Sequence, residues 1–529
     1  MADTLQSRIF DFRGGYATDF PNVARDLVYW SKAENVIFEV SGVARKLGGA
    51  TKINATAITG SPDVTGMFDF WRGGGAAAFT QKFVAMVANS KIWKEDMDGT
   101  FDDITGAATI TADAIPVFCQ ARDLLLIFDD KNDTPLKWNQ TGNVATLGGS
   151  PPAGRGAVFH ANRVWTWGAN ANPSRLTYGS STDAEDYTGT DTGSIDLEPE
   201  DGDRIIGAVS FKQVLLVFKG PNKGSIHQIS GTAPTGADAF SRKVMVRGIP
   251  IQTHNSLIPV GDDILLMSDR AIHSLAATQE FGNFAGADIT HFLKGFFRDS
   301  IATGTLNKVW GVDYADKSCL LWSMPGFGNT ENTLTFGLSY ARLAEEGWKP
   351  FVWTRAGTSM AIRINPTTKR RQVVFGTTDG FAAIQDTTDR NIYDSTAYSI
   401  NMRTPEILLG PVDAAGKQRG DQEVTLEQFW LRSTGVGDHN INATITRDNM
   451  AVENYSFAQQ PGRFLLSTSI LNVDTLGSDK PRIVYSDPKV IGSARAVAIE
   501  FSQGGLNQDA NMIEFGLDFN PISQTTRRS

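Results

Sequence analysis

Residues 124–142 read LLLIFDDKNDTPLKWNQTG. Five apolar residues are followed by a turn, a short strand with one tryptophan, and a second turn that ends in glycine. Uninterrupted apolar runs of this length between turn residues are typical of strands buried on both faces. The same order of features returns along the chain. The leading strands of these units are residues 83–87, 124–128, 163–167, 214–218, 264–267 and 373–375.

The spacing of the units indicates a β-propeller. The first five begin roughly 40 to 50 residues apart, which is the range of propeller blades. Each unit would be a small twisted sheet, whose inner strands are apolar because neighbouring blades cover them. One further unit fits at 309–313 with 319–323. We therefore predict an all-β fold with a six- or seven-bladed propeller over residues 61–389.

Two regions lie outside the repeat. Residues 1–60 are predicted to be an N-terminal arm with a strand or two, and residues 390–529 a C-terminal β-sandwich-like domain. Helical spacing is confined to 288–300 and, weakly, 339–346. The strands predicted for the C-terminal domain are 398–403, 424–432, 441–447, 463–467, 496–501 and 512–519.

Composition excludes several classes of protein. The chain has 529 residues, of which 41% are hydrophobic, so global disorder is excluded. Its 52 glycines show no period of three, which excludes a collagen-like chain. Its net charge of -9 argues against a protein that binds nucleic acid over its whole surface. No apolar run is long enough to insert in a membrane, and no signal peptide is visible, so we expect synthesis in a cytoplasm.

The sequence offers no motif for catalysis. HExxH, Walker A and a Rossmann glycine pattern are all missing, and Cys119 and Cys319 are too far apart for a CxxC site. His227 and His273 occupy equivalent blade positions, where a shared metal competes with the favoured reading of two buried strand histidines. We therefore predict that the protein is not an enzyme, with no catalytic residues, no cofactor-binding residues and no metal ligands.

Paired acids leave one enzymatic alternative open. They occur at 102–103, 129–130 and 262–263. Glycosidases use two carboxylates, and propellers can carry them, but adjacent acids in a strand point to opposite faces. Because all three pairs lie at turn positions, turn formation is the favoured interpretation.

One segment is strongly acidic and contains no lysine or arginine. A solvated loop is the plain interpretation, and the spacing at 198–203 does not match a calcium loop. The third interpretation is that the segment lines a channel or the inner rim of a ring, where carboxylates would repel DNA phosphates. The candidate channel-lining residues are Asp183, Glu185, Asp186, Asp191, Asp196, Glu198, Glu200, Asp201 and Asp203.

The order of the segments resembles the tail nozzle proteins of short-tailed bacteriophages, also called tail tubular protein B. The resemblance covers about residues 10–390. It rests on a glycine turn, an AxN segment, a Gly-x-x-x-Arg-x-x-Gly hairpin and two blade motifs. These are residues 14–19 (GGYATD), 33–38 (AENVIF), 42–49 (GVARKLGG), 159–165 (FHANRVW) with 178–181 (YGSS), and 211–231, which ends in IHQISG.

The resemblance implies a structural virion protein without chemistry. It implies a homohexameric ring at the distal end of the tail, assembled in the bacterial cytoplasm, that docks to an adaptor ring and meets tail fibres or a needle. Genomic double-stranded DNA would be retained there and would pass non-specifically during ejection. The alternative is a propeller that binds or degrades glycans in receptor recognition, with tryptophans such as Trp93 and Trp138 stacking on sugars.

Overall fold

The computed structural model describes residues 6–12, 14–19, 23–24, 29–39, 43–74, 77–275, 288–387, 398–409, 423–434, 439–448, 451–459, 481–486, 492–505, 508 and 510–522. The chain begins with six short strands. They are β1 (Gln6–Asp11), β2 (Val23–Ala24), β3 (Lys32–Glu34), β4 (Val36–Phe38), β5 (Ala44–Lys46) and β6 (Gly49–Lys52).

The next four sheets are antiparallel and follow one another along the chain. Blade 1 contains β7 (Val64–Gly74), β8 (Ala77–Val87), β9 (Lys91–Glu95) and β10 (Phe101–Asp103). Blade 2 contains β11 (Pro116–Ala121), β12 (Leu124–Asp129), β13 (Leu136–Trp138) and β14 (Ala145–Thr146). Blade 3 contains β15 (Gly156–His160), β16 (Arg163–Trp167), β17 (Arg175–Tyr178) and β18 (Gly193–Asp196). Blade 4 contains β19 (Arg204–Phe211), β20 (Val214–Gly220), β21 (Ser225–Ser230) and β22 (Ser241–Arg247).

Three further sheets complete the propeller. Blade 5 contains β23 (Ile258–Val260), β24 (Asp263–Met267) and β25 (Ile272–Ser274). Blade 6 contains β26 (Trp310–Tyr314), β27 (Cys319–Pro325), β28 (Asn332–Ser339) and β29 (Lys349–Trp353). Blade 7 contains β30 (Met360–Ile364), β31 (Arg371–Gly376) and β32 (Ala382–Thr387), and β6 from the start of the chain is its fourth strand.

The blades form a closed ring. The first strand of each blade is innermost, and β7, β11, β15 and β19 contact one another in that order, as do β23, β26, β30 and β7. Blades 4 and 5 are joined by an apolar cluster that includes Leu216 and Ile264. In the described residues the propeller thus has six blades of four strands and one of three, with blade 6 continuing into a larger sheet. This confirms the predicted all-β fold and its six- or seven-bladed propeller. The second strand of a blade is covered on both sides, so β20 is almost wholly buried, whereas the outermost strand β22 is largely exposed.

Helices are few and short. Two α-helices are described, α1 (Lys294–Asp299) and α2 (Leu343–Glu346), and they lie within the two segments where the sequence shows helical spacing. Phe296 and Phe297 of α1 are buried against blades 5 and 6, as an amphipathic segment requires. Short 3-10 turns span His254–Ser256, His291–Leu293, Thr303–Lys308 and Ala315–Lys317.

The C-terminal strands pack with strands from the start of the chain. In one sheet, β41 pairs with β35, β1 and β5. In the other, β33 and β40 are joined to blade 6 through β3, which pairs with β29. The C-terminal strands are β33 (Ile400–Arg403), β34 (Glu406–Leu408), β35 (Val424–Thr434), β36 (His439–Arg447), β37 (Ala451–Gln459), β38 (Pro481–Tyr485), β39 (Gly492–Ala494), β40 (Ala496–Gln503) and β41 (Asn511–Pro521).

One apolar core runs through both parts of the molecule. Trp30 and Phe12 from the arm stack at 5.0 Å, and they pack with Phe501 and Phe515 of the C-terminal sheets. The same cluster includes Trp353 of blade 6. Five of the six predicted C-terminal strands coincide with β33, β35, β36, β40 and β41. The sixth, at 463–467, lies outside the described residues, as does the predicted boundary between 389 and 390.

Candidate functional site

A pocket lies at one end of the propeller axis. It opens where the first strands of blades 1, 2, 6 and 7 begin, so four different sheets contribute to its wall. Its volume is about 300 Å³. The lining residues are Asp63, Thr65, Ala88, Asp113, Ile115, Asp130, Lys131, Asn307, Lys308, Glu331 and Thr358.

The wall of this axial pocket carries both signs of charge. Four carboxylates and two lysines face it. Lys308 pairs with Glu331, and the Lys131 ammonium lies 3.7 Å from Asp130. Asp130 also accepts a 2.8 Å hydrogen bond from the backbone N–H of Ile115, which fixes the carboxylate at the start of β11. The turn interpretation of the acidic pair at 129–130 therefore holds, but one member also contributes to a pocket.

Two carboxyl groups at this end hold protons more tightly than free ones. Burial raises the pKa of Asp63; the carboxylates of Glu331 and Asp113 act in the same direction and Lys308 acts against them. Burial also raises the pKa of Asp129 to about 6, even though it accepts the backbone N–H groups of Lys131 and Asp133. The pocket thus presents carboxyl oxygens and lysine N–H groups side by side, an arrangement that can bind hydroxyl groups.

The acidic segment predicted from sequence lies elsewhere. It runs from the end of β17, through the outermost strand β18 of blade 3, to the start of β19. The first eight acids therefore lie at the periphery of the propeller or on the connection to blade 4, away from the axial pocket. Whether this edge faces the channel of a ring stays a prediction.

In the first half of the acidic segment, two acids form ion pairs with cations on neighbouring strands. Glu185 pairs with Lys137, and Asp191 lies 3.2 Å from Arg163. Asp191 also accepts hydrogen bonds from the backbone and hydroxyl of Ser181, and these lower its pKa to about 2. Asp183 and Asp186 accept backbone N–H groups two residues further on, which is turn chemistry.

The acids in the second half of the acidic segment are also bound by cations or backbone N–H groups. Asp196 forms a two-pronged pair with Arg175 at 2.7 and 2.9 Å, and Glu198 pairs with Arg247. Asp201 lies 2.7 Å from the fully buried ammonium of Lys219. Asp203 accepts the backbone N–H groups of residues 222, 223 and 224 and is itself buried. Glu200 is exposed.

The other sequence candidates are structural in the described part of the chain. His227 and His273 are buried in strands and bond serine hydroxyls at 2.9 and 3.0 Å, which confirms the strand interpretation. The ammonium of Lys219 forms an ion pair with Asp201, whose carboxylate a calcium loop at 198–203 would need as a ligand. No group of three or more metal-ligating side chains occurs within the described ranges. No helix among these residues is long and apolar enough to cross a membrane.

Comparison with known proteins gives only distant similarities. No protein-family model matches the sequence, and no curated protein matches it. A crystal structure of the exo-beta-1,3-galactanase of Phanerochaete chrysosporium with beta-1,3-galactotriose is 10% identical, with a TM-score of 0.28 over 89% of this chain and 99% of that chain. A second structure of that enzyme, with galactose, gives 11% identity and a TM-score of 0.27 over 89% of this chain and 100% of that chain. The complex of BBS1N with ARL6DN gives 9% identity and a TM-score of 0.37 over 64% of this chain and 97% of that chain.

Proposed function

We propose that the chain is a structural protein of a short phage tail, which forms the distal nozzle ring and passes DNA without chemistry. The sequence resemblance over residues 10–390 supports this function, and the β-propeller it implies is the fold observed. The observation that carries the proposal furthest is the continuity of the body. Strand β3 joins blade 6 to the C-terminal sheet, and β6 closes blade 7. A subunit whose described parts share strand pairings and one apolar core suits a ring through which DNA passes.

The assembly state tests this proposal directly. We expect the purified chain, alone or with the adaptor protein of its phage, to form rings in negative-stain images. Light scattering should then give a mass about six times that of the 57.4 kDa chain. Antibodies against the chain should label the tip of the virion tail. A chain that stays monomeric with the adaptor and labels no virion would refute the proposal.

The acids of the acidic segment that have no cationic partner among the described residues should matter for DNA passage. Asp183, Asp186 and Glu200 form no ion pair among the described residues, so they contribute net negative charge at the edge of blade 3. Virions with these residues changed to Asn, Asn and Gln should eject DNA about twofold or more slowly at low salt. The difference should shrink as salt rises, because the repulsion is screened.

The control neutralises three exposed acids on other blades: Asp123→Asn, Asp238→Asn and Asp262→Asn. It removes the same charge from the chain but leaves the acidic edge intact, so its ejection should match that of the unmodified virion. Equal ejection by both triple variants would exclude the acidic segment as a channel lining.

As a second candidate function, we propose carbohydrate binding at the axial pocket. The observation that favours it is the cluster of carboxylates and lysines around a cavity that opens to solvent. Carboxylates accept hydrogen bonds from sugar hydroxyls, and lysines donate hydrogen bonds to sugar oxygens.

Glycan arrays separate this candidate from the nozzle. We expect the double variant Glu331→Gln with Asp63→Asn to lose binding to every glycan that the unmodified chain binds, because both side chains line the pocket. Asp262→Asn, at an exposed turn that does not line the pocket, should retain them. If the unmodified chain retains no glycan and releases no reducing sugar from bacterial polysaccharide, the second candidate is wrong.

A further inference from the structure

A second pocket lies between blades 6 and 7, at the opposite end of the inner strands. Its volume is about 640 Å³, within the usual ~300–1,000 Å³ of small-molecule sites. The turn between β26 and β27 provides Asp316 and Lys317. The turn between β30 and β31 provides Asn365, Thr368 and Arg370, and β31 continues the wall with Arg371 and Gln372.

The charge of this pocket is opposite to that of the whole chain. Lys317, Arg370 and Arg371 line it, against the single carboxylate of Asp316, whereas the chain carries a net charge of -9. Neither arginine forms an ion pair within the described residues. The charge of Arg371 lowers the pKa of Asp313, but that carboxylate already accepts a 3.0 Å hydrogen bond from the hydroxyl of Tyr340.

The fork of an arginine matches the two oxygens of a carboxylate or phosphate, and two adjacent arginines with a lysine concentrate that capacity. The turn that carries them is held in place independently of any ligand. Asn365 accepts the backbone N–H groups of Thr367 and Thr368 at 2.9 and 2.8 Å. The cations are therefore presented by an ordered loop.

Neutral hydrogen-bonding groups stand beside the cations. The side-chain carbonyl oxygen of Gln372 is buried and has no partner among the described residues. An unpaired buried acceptor is costly, and rotation of the Gln372 side chain toward the cavity that it lines would let a ligand hydroxyl satisfy it. The side-chain N–H groups of Asn365 and the hydroxyl of Thr368 can bond further ligand oxygens.

We propose that this pocket binds a sugar unit that carries a phosphate or carboxylate group. Arg370 and Arg371 hold the acidic group, and Gln372 and Asn365 hold hydroxyls. This site uses none of the residues of the axial pocket, and it goes beyond a role in DNA passage. The acid alone would satisfy the cations but not Gln372, so the sugar ring is part of the recognition.

Titration calorimetry on the full chain tests the proposal, with glucose 6-phosphate, glucuronate, glucose and inorganic phosphate as probes. We expect at least one acidic sugar to bind about tenfold or more tightly than glucose and than inorganic phosphate. The two acidic sugars distinguish a phosphate from a carboxylate as the acidic group. Affinity should fall as salt rises above about 50 mM, because a charged group is being held.

Variants locate the binding in the pocket. The double change Arg370→Ala with Arg371→Ala should lower the affinity for the acidic sugar about tenfold or more. Both side chains are exposed, so their loss should leave the fold intact. Gln372→Leu should reduce the preference for the sugar over inorganic phosphate to about twofold. The matched control, Arg270→Ala on a different blade, should bind as the unmodified chain does.

Three results would each overturn the assignment. The first is that neither acidic sugar binds. The second is that the double arginine variant, with an unchanged melting temperature, binds as tightly as the unmodified chain. The third is that inorganic phosphate binds as tightly as the better sugar, which would leave a simple anion site with no recognition of hydroxyls.

Discussion

We expect the Glu95→Gln variant to lose about 3 to 5 kcal/mol of unfolding free energy, because it leaves a buried guanidinium without its counter-charge. Glu95 lies on β9 of blade 1 and is fully buried. Its carboxylate accepts a 2.8 Å bond from Arg363, on β30 of blade 7, and another from the backbone N–H of Gly99. The pair therefore joins the last blade to the first.

The pair sits within a wider contact that closes the ring. The hydroxyls of Thr358 and Ser359 both donate to the backbone oxygen of Val64. The side chain of Gln81 donates to the oxygen of Ile364, whose N–H bonds Asp69. These bonds are backbone-directed and survive the substitution, so we expect an intact propeller that unfolds earlier rather than an open ring.

Chemical unfolding followed by tryptophan fluorescence measures this effect. The double change Glu95→Leu with Arg363→Met should recover most of the loss, since two apolar side chains leave no buried charge unpaired. Arg175→Ala breaks an exposed pair and should leave the midpoint close to that of the unmodified chain, because water screens such pairs. If Glu95→Gln behaves like Arg175→Ala, the buried pair does not hold the ring closed.

The blades could be predicted from sequence because their second strands carry a local signal. β12 and β20 are apolar on both faces, since each is covered by a neighbouring blade. Outermost strands such as β18 are half exposed or exposed, so their residues follow no apolar pattern. Ring closure by β6 could not be predicted either. It pairs residues 49–52 with strand β32, more than three hundred positions away, and four residues carry no signal for a partner at that distance.

For the candidate sites too, only features that are contiguous in the sequence could be predicted. The acidic segment is a local feature, and the sequence located it, but its charges are met by cations that lie far along the chain. Lys137 is 48 positions from Glu185, and Arg247 is 49 positions from Glu198. The axial pocket was missed because Asp63, Asp113 and Glu331 are single acids before three different strands, and only the closed ring brings them together.

Within the acidic segment, Asp203 should behave unlike its neighbours. We expect Asp203→Ala to lower the free energy of unfolding by about 3 kcal/mol or more, because it leaves three backbone N–H groups without an acceptor. The carboxylate takes bonds of 2.8, 2.9 and 2.7 Å from Asn222, Lys223 and Gly224. Two of these donors are half-buried or exposed, but the third, on Gly224, is buried.

The backbone around Gly224 leaves no way to relax. Its φ is +73°, and a Cβ there would lie 2.2 Å from the backbone of Ile249, so the loop is packed directly against another chain segment. The N–H of Gly248 bonds the oxygen of Gly224 at 2.7 Å, which ties the loop to the end of β22. Losing the Asp203 carboxylate should therefore loosen the edge of blade 4 as well as the loop, and trypsin should cut at Lys223 sooner.

Glu200→Ala is the matched control, since it removes the same charge three positions away from an exposed side chain. It should leave the unfolding midpoint and the trypsin cleavage at Lys223 unchanged. Its effect on DNA ejection is expected when it is combined with changes at Asp183 and Asp186. Asp203→Asn should recover only part of the stability. Its one amide oxygen can accept either the N–H of Asn222 or those of Lys223 and Gly224, and its NH2 group cannot accept the rest. If Asp203→Ala and Glu200→Ala unfold at the same denaturant concentration, Asp203 is a surface charge like its neighbour and the loop is held by its backbone alone.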